Sequence, residues 1–200
     1  AEHGILIKSA AALETLHHVD TIVLDKTGTI TEGNPRVTDI LPVSGLSAQE
    51  LLTLAACLEG PSEHPLAAAI IEAAASSGLT AEAPADFVAV HGRGVQATLN
   101  GQTTIGGNRA MMEEHGIDLT PLRGAAEQLA EAGKTPLFFA QGGRLLGLIA
   151  AADTPKESSA QAIEAFRTLG IDVVMLTGDN RRTAEAIGKS LQVSNIISEV

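Results

Sequence analysis

Asp25-Lys26-Thr27-Gly28-Thr29 follows directly on the apolar run Thr21-Ile22-Val23-Leu24. A carboxylate at the carboxyl end of a buried strand, ahead of a glycine turn, is well placed to attack a phosphoryl group. Open α/β sheets bind their ligands at that edge, and Asp is an established covalent nucleophile in phosphoryl transfer. A second group of the same kind is Thr177-Gly178-Asp179, again between an apolar run and a helical pattern. Backbone N–H groups and a hydroxyl there can hold phosphate oxygens, helped by the positive end of the helix. Taken alone, Thr-Gly-Asp is a weak signal and reads better as a turn with a helix cap. Its equivalence to the Asp25 edge favours two strand ends facing one crevice.

Other residues have the chemistry of a ligand site. In Ser62-Glu63-His64-Pro65-Leu66-Ala67, Pro65 falls in the first turn of a helix without losing a hydrogen bond. It fixes His64 near the positive helix end, where an imidazole could stack on a base or meet a phosphate. Glu59 lies near a helix C-terminus, where the dipole disfavours a negative charge. Gly92 and Gly94 follow a strand in His91-Gly92-Arg93-Gly94-Val95, and Gly107 and Asn108 follow another in Gly106-Gly107-Asn108-Arg109. Glycines in such loops let backbone approach a ligand closely. No Walker lysine loop is present, which argues against a P-loop nucleotide site. His17-His18 face different directions on a helix and read as C-terminal cations; His3 and His115 carry no pattern.

These residues need elements to position them. Ser9 to His17 reads as a helix, Asp20 to Asp25 as a buried strand, and the chain then turns through Gly28, Gly33 and Pro35. Leu145 to Ala152 is an apolar run ending at Asp153. Thr154-Pro155-Lys156-Glu157 reads as a capping box with Pro at the first helical position, opening a helix to Leu169. Asp172 to Thr177 is a strand and Asn180 to Leu191 a helix. Strand and helix alternating at this spacing predict βαβ units on a parallel sheet. Between these parts the pattern changes. Ser47-Ala48-Gln49-Glu50 caps a helix to Leu58, Ser62 opens an Ala-rich helix ending near Gly78, and Thr120-Pro121 starts one ending at Gly133. Short strands are expected at 87–90, 95–99, 103–105 and 137–140, with tight turns at Asn100-Gly101 and Gly142-Gly143. This mixture predicts an antiparallel α+β insertion.

The 200 residues are 44% hydrophobic but only 2% aromatic, without Trp or Tyr, so aliphatic side chains must fill the core. The 13 basic against 24 acidic residues give a net charge of −11. That balance disfavours a nucleic-acid partner, which needs clustered Lys and Arg. The single Cys57 excludes an intrachain disulfide, fits a reducing compartment and reads as a small buried hydrophobe. No apolar stretch approaches the roughly 20 residues that span a bilayer, and Ala1-Glu2-His3-Gly4 lacks signal-peptide character.

DKTGT with the following Ile30-Thr31, TGDN at 177–180 and SEHPLA at 62–67 together resemble the heavy-metal-transporting P-type ATPases, the copper-exporting branch most of all. The resemblance covers essentially the whole chain. It implies a haloacid dehalogenase-like α/β phosphorylation domain with a parallel sheet, incomplete at the C-terminus, carrying an inserted α+β nucleotide-binding domain on an antiparallel sheet. The expected division is 1–38 and 148–200 for the first and 39–147 for the second. Asp25 would be the phosphorylated nucleophile, Lys26, Thr27, Thr177, Gly178 and Asp179 would hold phosphate, and Glu59, His64, Gly92, Gly94, Gly107 and Asn108 would bind ATP. Mg²⁺ would take the Asp25 carboxylate and the Thr27 backbone carbonyl. Phosphatases of the wider fold carry a second Asp two positions after the nucleophile; Thr27 cannot activate water, so the acyl phosphate should persist. Asp153 would serve hinge geometry, with motion expected near residues 34–40 and 146–153.

The expected partners are the rest of a pump (membrane helices and an actuator domain) and, beyond it, a metal chaperone or metal-binding domain, at the cytoplasmic face of a membrane. Zinc, cadmium or silver remain open as cargo beside copper, as do a stand-alone phosphatase and a non-catalytic nucleotide-binding module.

Overall fold

The computed structural model describes residues 6, 7, 9–43 and 45–200; His3 and the Ala1–Gly4 start lie outside them. Two sheets organise the chain. The first is parallel, ordered β1 (Thr21–Asp25), β8 (Asp172–Leu176), β9 (Asn195–Ile197). Asp25 lies opposite Leu176, so both strands end at one edge. The second sheet is antiparallel and six-stranded. Its order is β2 (Arg36–Pro42), β7 (Arg144–Ala152), β6 (Thr135–Gln141), β5 (Gln102–Gly107), β4 (Gly94–Leu99), β3 (Ala85–Val90).

The helices cover these sheets. Helix α1 (Ala10–His17) is capped by Ser9 and buries no residue. Helix α2 (Ala48–Glu59) begins with the expected Ser47–Glu50 capping box, and α3 (Pro65–Ser76) follows it. Both pack on one face of the antiparallel sheet, where Leu51, Leu58 and Ile70 meet Val95, Phe139 and Ile149. The other face takes α4 (Arg109–Glu114) and α5 (Arg123–Glu131), with Met111, Met112 and Ala126 against Ile105, Phe138 and Leu148. A smaller core joins Ile30, Ile163 on α6 (Glu157–Thr168), Met175 on β8, and Ala184 and Ile187 on α7 (Arg181–Ser190). The structure therefore has the expected parallel and antiparallel sheets.

Several expectations give way. The 145–152 run is not a parallel strand: β7 pairs antiparallel with both β2 and β6. Its near-continuous apolar character arises because helices cover both faces of its sheet, the usual condition of parallel strands. The stretch after Pro35 forms the unforeseen strand β2. Thr154 does not cap α6. Thr31 bridges Pro155, Glu32 N–H donates to Thr154 O, and Lys156 N–H donates to Ile30 O. Residues 154–156 are thus occupied in pairing, and the helix begins at Glu157 after Lys156, whose side chain makes no cap bond. Helix α3 is capped by His64 and not by Ser62, and α5 begins at Arg123, not at Thr120.

Candidate active site

Asp25 ends β1 with its side chain exposed, and the chain turns through Lys26–Ile30, closed by Thr31 N–H donating to Lys26 O at 2.9 Å. Gly28 takes φ +75, a left-handed conformation that favours glycine. The turn is held from below. Thr31 Oγ1, fully buried, lies 2.5 Å from Asp153 Oδ2 and 3.0 Å from Lys26 O, one hydroxyl proton serving both. Asp153 Oδ1 accepts from the N–H groups of Gly33 and Asn34, Lys156 Nζ donates to Gly28 O at 2.7 Å, and Ser159 Oγ donates to Ile30 O at 2.6 Å. Asp153 is therefore a strut beneath the loop that follows Asp25. Lys156 and Ser159 share that work and carried no signal in the sequence, since their partners are backbone carbonyls of a distant segment.

Asp153→Ala leaves three donors without that acceptor around a buried hydroxyl. Its expected effect is a loss of about 2–4 kcal/mol of stability, read by urea unfolding. Asp153→Asn keeps an acceptor and should recover part of it.

On the neighbouring strand end, Thr177 is buried and its Oγ1 accepts from Asp179 N–H at 3.1 Å, which leaves the hydroxyl proton free to donate to a phosphate oxygen. Gly178 is exposed beside it, ahead of α7, whose N-cap is Asn180. The expected phosphate contact of Lys26 takes another form. Its ammonium is buried and paired with Asp179 Oδ2 at 2.6 Å, with side-chain exposures of 8% and 12%. The second Asp179 oxygen accepts from Thr135 Oγ1 at 3.2 Å. These two side chains thus tie the strand ends together, which leaves backbone and Thr177 to face a ligand.

The donor set at Asp25 suits Mg²⁺. Among the described residues no three His, Cys, Asp or Glu side chains cluster as a metal cage. Mg²⁺ is characteristically held by one or two carboxylates, with water and substrate phosphate completing the octahedron. Exposed Asp25, with the Thr27 carbonyl two residues on, matches that demand.

The second group of residues lies on the antiparallel unit. Glu59, at the last turn of α2, is 6% exposed, and burial raises its pKa to about 7, with a hydrogen bond from Ser62 opposing. The dipole mismatch read from the sequence is thus reinforced by desolvation. A carboxyl raised above its ordinary 4.5 binds more protons folded than unfolded. Its favourable contribution is complete below pH about 4.5 and disappears as pH rises through about 7, a swing of about 3 kcal/mol. Melting temperature should fall across that window, and Glu59→Gln should flatten the fall.

His64 is exposed at the N-cap of α3, and its Nδ1 accepts from Leu66 N–H at 3.1 Å. That bond requires an unprotonated Nδ1, so in the neutral ring Nε2 carries the hydrogen and faces outward as a donor. Partial desolvation lowers the imidazole pKa; Asp179 raises it and Lys26 lowers it further. His64 thus lies within electrostatic reach of the Lys26–Asp179 pair.

Gly92, Gly94, Gly107 and Asn108 form one corner. Asn108 Nδ2 donates to Gly92 O at 2.9 Å, its Oδ1 caps α4 by accepting from Met111 N–H, and its N–H donates to Arg93 O. Gly94 pairs with Gly107 across β4 and β5. A Cβ on Gly94 would lie 2.1 Å from Gly106 O, and one on Gly107 would lie 2.4 Å from Arg93 O. Both glycines are thus demanded by packing whatever they bind. Gly92, at φ +66, is exposed; its carbonyl is held by Asn108, but a Cβ there would meet no atom within 4 Å.

A sequence profile of the haloacid dehalogenase-like hydrolases matches residues 19–200. The chain belongs to that family. Its likeness to P-type ATPases runs over its whole length. It is 45% identical over 201 aligned residues to Copper-transporting ATPase 1 of Rhizobium meliloti (strain 1021), covering 100% of this chain and 24% of that protein. It is 44% identical over 200 residues to the copper-exporting P-type ATPase of Bacillus subtilis (strain 168), covering 100% and 25%. Among solved structures, a zinc-transporting PIB-type ATPase in its E2.Pi state superposes with a TM-score of 0.69 at 37% identity, covering 100% of this chain and 32% of that one. The chain spans about a quarter of the length of the curated relatives it matches. Among the described residues no helix is long and apolar enough to cross a membrane.

Proposed function

We propose that this chain is the ATP-binding and phosphorylation portion of a heavy-metal cation pump, exporting Cu(I), that works at the cytoplasmic face of a membrane. The observation that carries the reading is Asp25: exposed, at the end of β1, in register beside the strand that delivers Thr177 and Gly178. A carboxylate oxygen of Asp25 attacks the γ-phosphorus of ATP in line. A P–O bond forms, the bond to the β–γ bridging oxygen breaks, and ADP leaves with the electron pair. Thr177 and the Gly178 backbone hold the transferred group. The Asp25 carboxylate and the Thr27 carbonyl would hold Mg²⁺, which when bound would supply neutralisation of phosphoryl charge. Thr27 offers no carboxylate to activate water, so the acyl phosphate lasts until another part of the pump dismisses it.

Residues 39–147 hold the nucleotide in this reading, between 1–38 and 148–200. Glu59 is a buried, readily neutral hydrogen-bonding group for adenine, His64 Nε2 a donor, and Gly92, Gly94, Gly107 and Asn108 the corner against which ATP lies. The remaining membrane helices, an actuator domain and a metal chaperone or metal-binding domain are its partners.

Copper rests on the sequence relatives, and the zinc-transporting structural neighbour makes zinc the second cargo to test. In the full-length protein, terminally labelled ATP with Mg²⁺ should give an acid-stable, hydroxylamine-labile phosphoprotein whose turnover is stimulated by Cu(I). A protein that stays unlabelled contradicts the mechanism, and stimulation by Zn²⁺ alone reassigns the cargo.

A further inference from the structure

One link between the two units runs through the dipeptide Lys134-Thr135, at the start of β6. Thr135 Oγ1 donates to Asp179 Oδ1 at 3.2 Å, while Asp179 Oδ2 holds the Lys26 ammonium. The Lys134 carbonyl accepts from Thr183 Oγ1 at 2.9 Å, and Thr183 Oγ1 itself accepts from Asn180 Nδ2. Lys134 Nζ is anchored in the opposite direction, on Asp39 of β2 at 2.6 Å. Helix α5 adds Glu127, 3.2 Å from Arg182 of α7. Three features of the Thr177–Thr183 segment (the Asp179 carboxylate, the Asn180 amide and the Thr183 hydroxyl) are thus linked to a turn belonging to the antiparallel unit.

The arrangement has a logic beyond packing. Asp179 has two carboxylate oxygens, and each is committed: one to the loop after Asp25 through Lys26, the other to the inserted unit through Thr135. Hydrogen bonds to a charged group are about twice as strong as neutral ones, and low exposure strengthens them further. The Thr135 bond exists only while the two units are docked. Parting the units would remove the Thr135 bond and leave Lys26 as the one side-chain partner of the Asp179 carboxylate among the described residues.

We infer that Thr135 is a positioning residue for phosphoryl transfer, a docking-dependent contact through which seating of the nucleotide-holding unit orders Asp179 and, through it, Lys26 beside Asp25. The inference deepens the phosphorylation reading and rests on it for its catalytic consequence; the docking contact itself does not. By linkage, whatever favours the docked arrangement tightens the Lys26–Asp179 pair, and loosening the pair weakens docking.

The test separates the two. Thr135→Val keeps the β-branched shape and removes the hydroxyl; Thr135→Ser keeps the hydroxyl. In a Cys57→Ser background, spin labels at Glu72→Cys on α3 and Ala162→Cys on α6 report the distance between units. Thr135 and Thr135→Ser should give the same narrow distribution, and Thr135→Val a broadened one. Superimposable distributions for Thr135 and Thr135→Val overturn the inference. In the full-length protein, Thr135→Val should slow phosphoenzyme formation at saturating ATP roughly tenfold, the scale of one hydrogen bond to a charged group. ATP affinity should hold, and Thr135→Ser should restore the rate. An unchanged rate, or a loss of affinity in place of rate, overturns the positioning role. If the protein with Thr135 intact acquires no phosphate at all, the phosphorylation reading falls, and the distance measurement still decides the docking contact.

Discussion

Asp25→Asn is expected to abolish phosphate incorporation from ATP, by more than about 10³-fold, with ATP affinity unchanged. The amide nearly matches the carboxylate in shape but lacks its nucleophilic charge. Asp25 is exposed at a strand end, so the substitution buries nothing unsatisfied and the fold should survive it. The loop beneath is held by hydrogen bonds that link Asp153, Lys156 and Ser159 to Thr31 and to the carbonyls of Gly28 and Ile30, not to the Asp25 side chain. Two measurements on the full-length protein check the result: labelling from terminally labelled ATP after acid quench, and calorimetric ATP binding. Label persisting in the Asp25→Asn protein would assign the phosphate elsewhere. Lost ATP binding with a folded protein would mean that Asp25 mainly holds nucleotide.

The second large effect is expected at the glycine corner, and it divides residues that the sequence treats alike. Gly94→Ala places a methyl group 2.1 Å from Gly106 O and 2.5 Å from Gly107 Cα at φ +153, where neither strand can yield without breaking the β4–β5 ladder. Overpacking against backbone, added to the conformational strain, should destabilise by about 3 kcal/mol or more. For a chain of this size that is a fall in melting temperature of about 6–12 °C. Gly92→Ala meets no atom within 4 Å and carries only the left-handed strain at φ +66, about 1 kcal/mol. Thermal unfolding followed by circular dichroism distinguishes them. If ATP binding is lost in a well-folded Gly92→Ala protein, the Gly92 backbone meets the nucleotide directly. Loss confined to the Gly94→Ala protein reports collapse of the corner.

Much of the candidate site was legible in the sequence because it depends on local chemistry. Asp25 and Thr177 sit at strand ends marked by apolar runs, and Asn108 combines a cap with a glycine turn. The remainder depends on partners distant in the chain. Asp153 meets Thr31 across 122 positions and Lys26 meets Asp179 across 153, so no window of sequence contains either pair. Thr135, in Lys134-Thr135-Pro136, looks like any strand entry until α7 is seen beside it. Strand β2 was hidden by the turn read through Gly33 and Pro35 just before it, although Val37 and Ile40 supply apolar contacts to the α2–α3 core. The 145–152 run shows the converse difficulty: burial on both faces erases the alternation that would mark it as antiparallel.

The polypeptide passes between the two sheets twice, at 31–36 and at 152–156, and these passages lie side by side, stitched by the Thr31–Pro155 bridge and by Glu32 N–H on Thr154 O. A twin ribbon of this kind folds easily about an axis across its width but resists twisting, because torsion would shear its own rungs. The half carrying the six-stranded sheet should therefore move along a single arc like a door, returning to the same seat. Gly33, Asn34 and Pro35, which bear no rungs of the six-stranded sheet, are where that arc would be set.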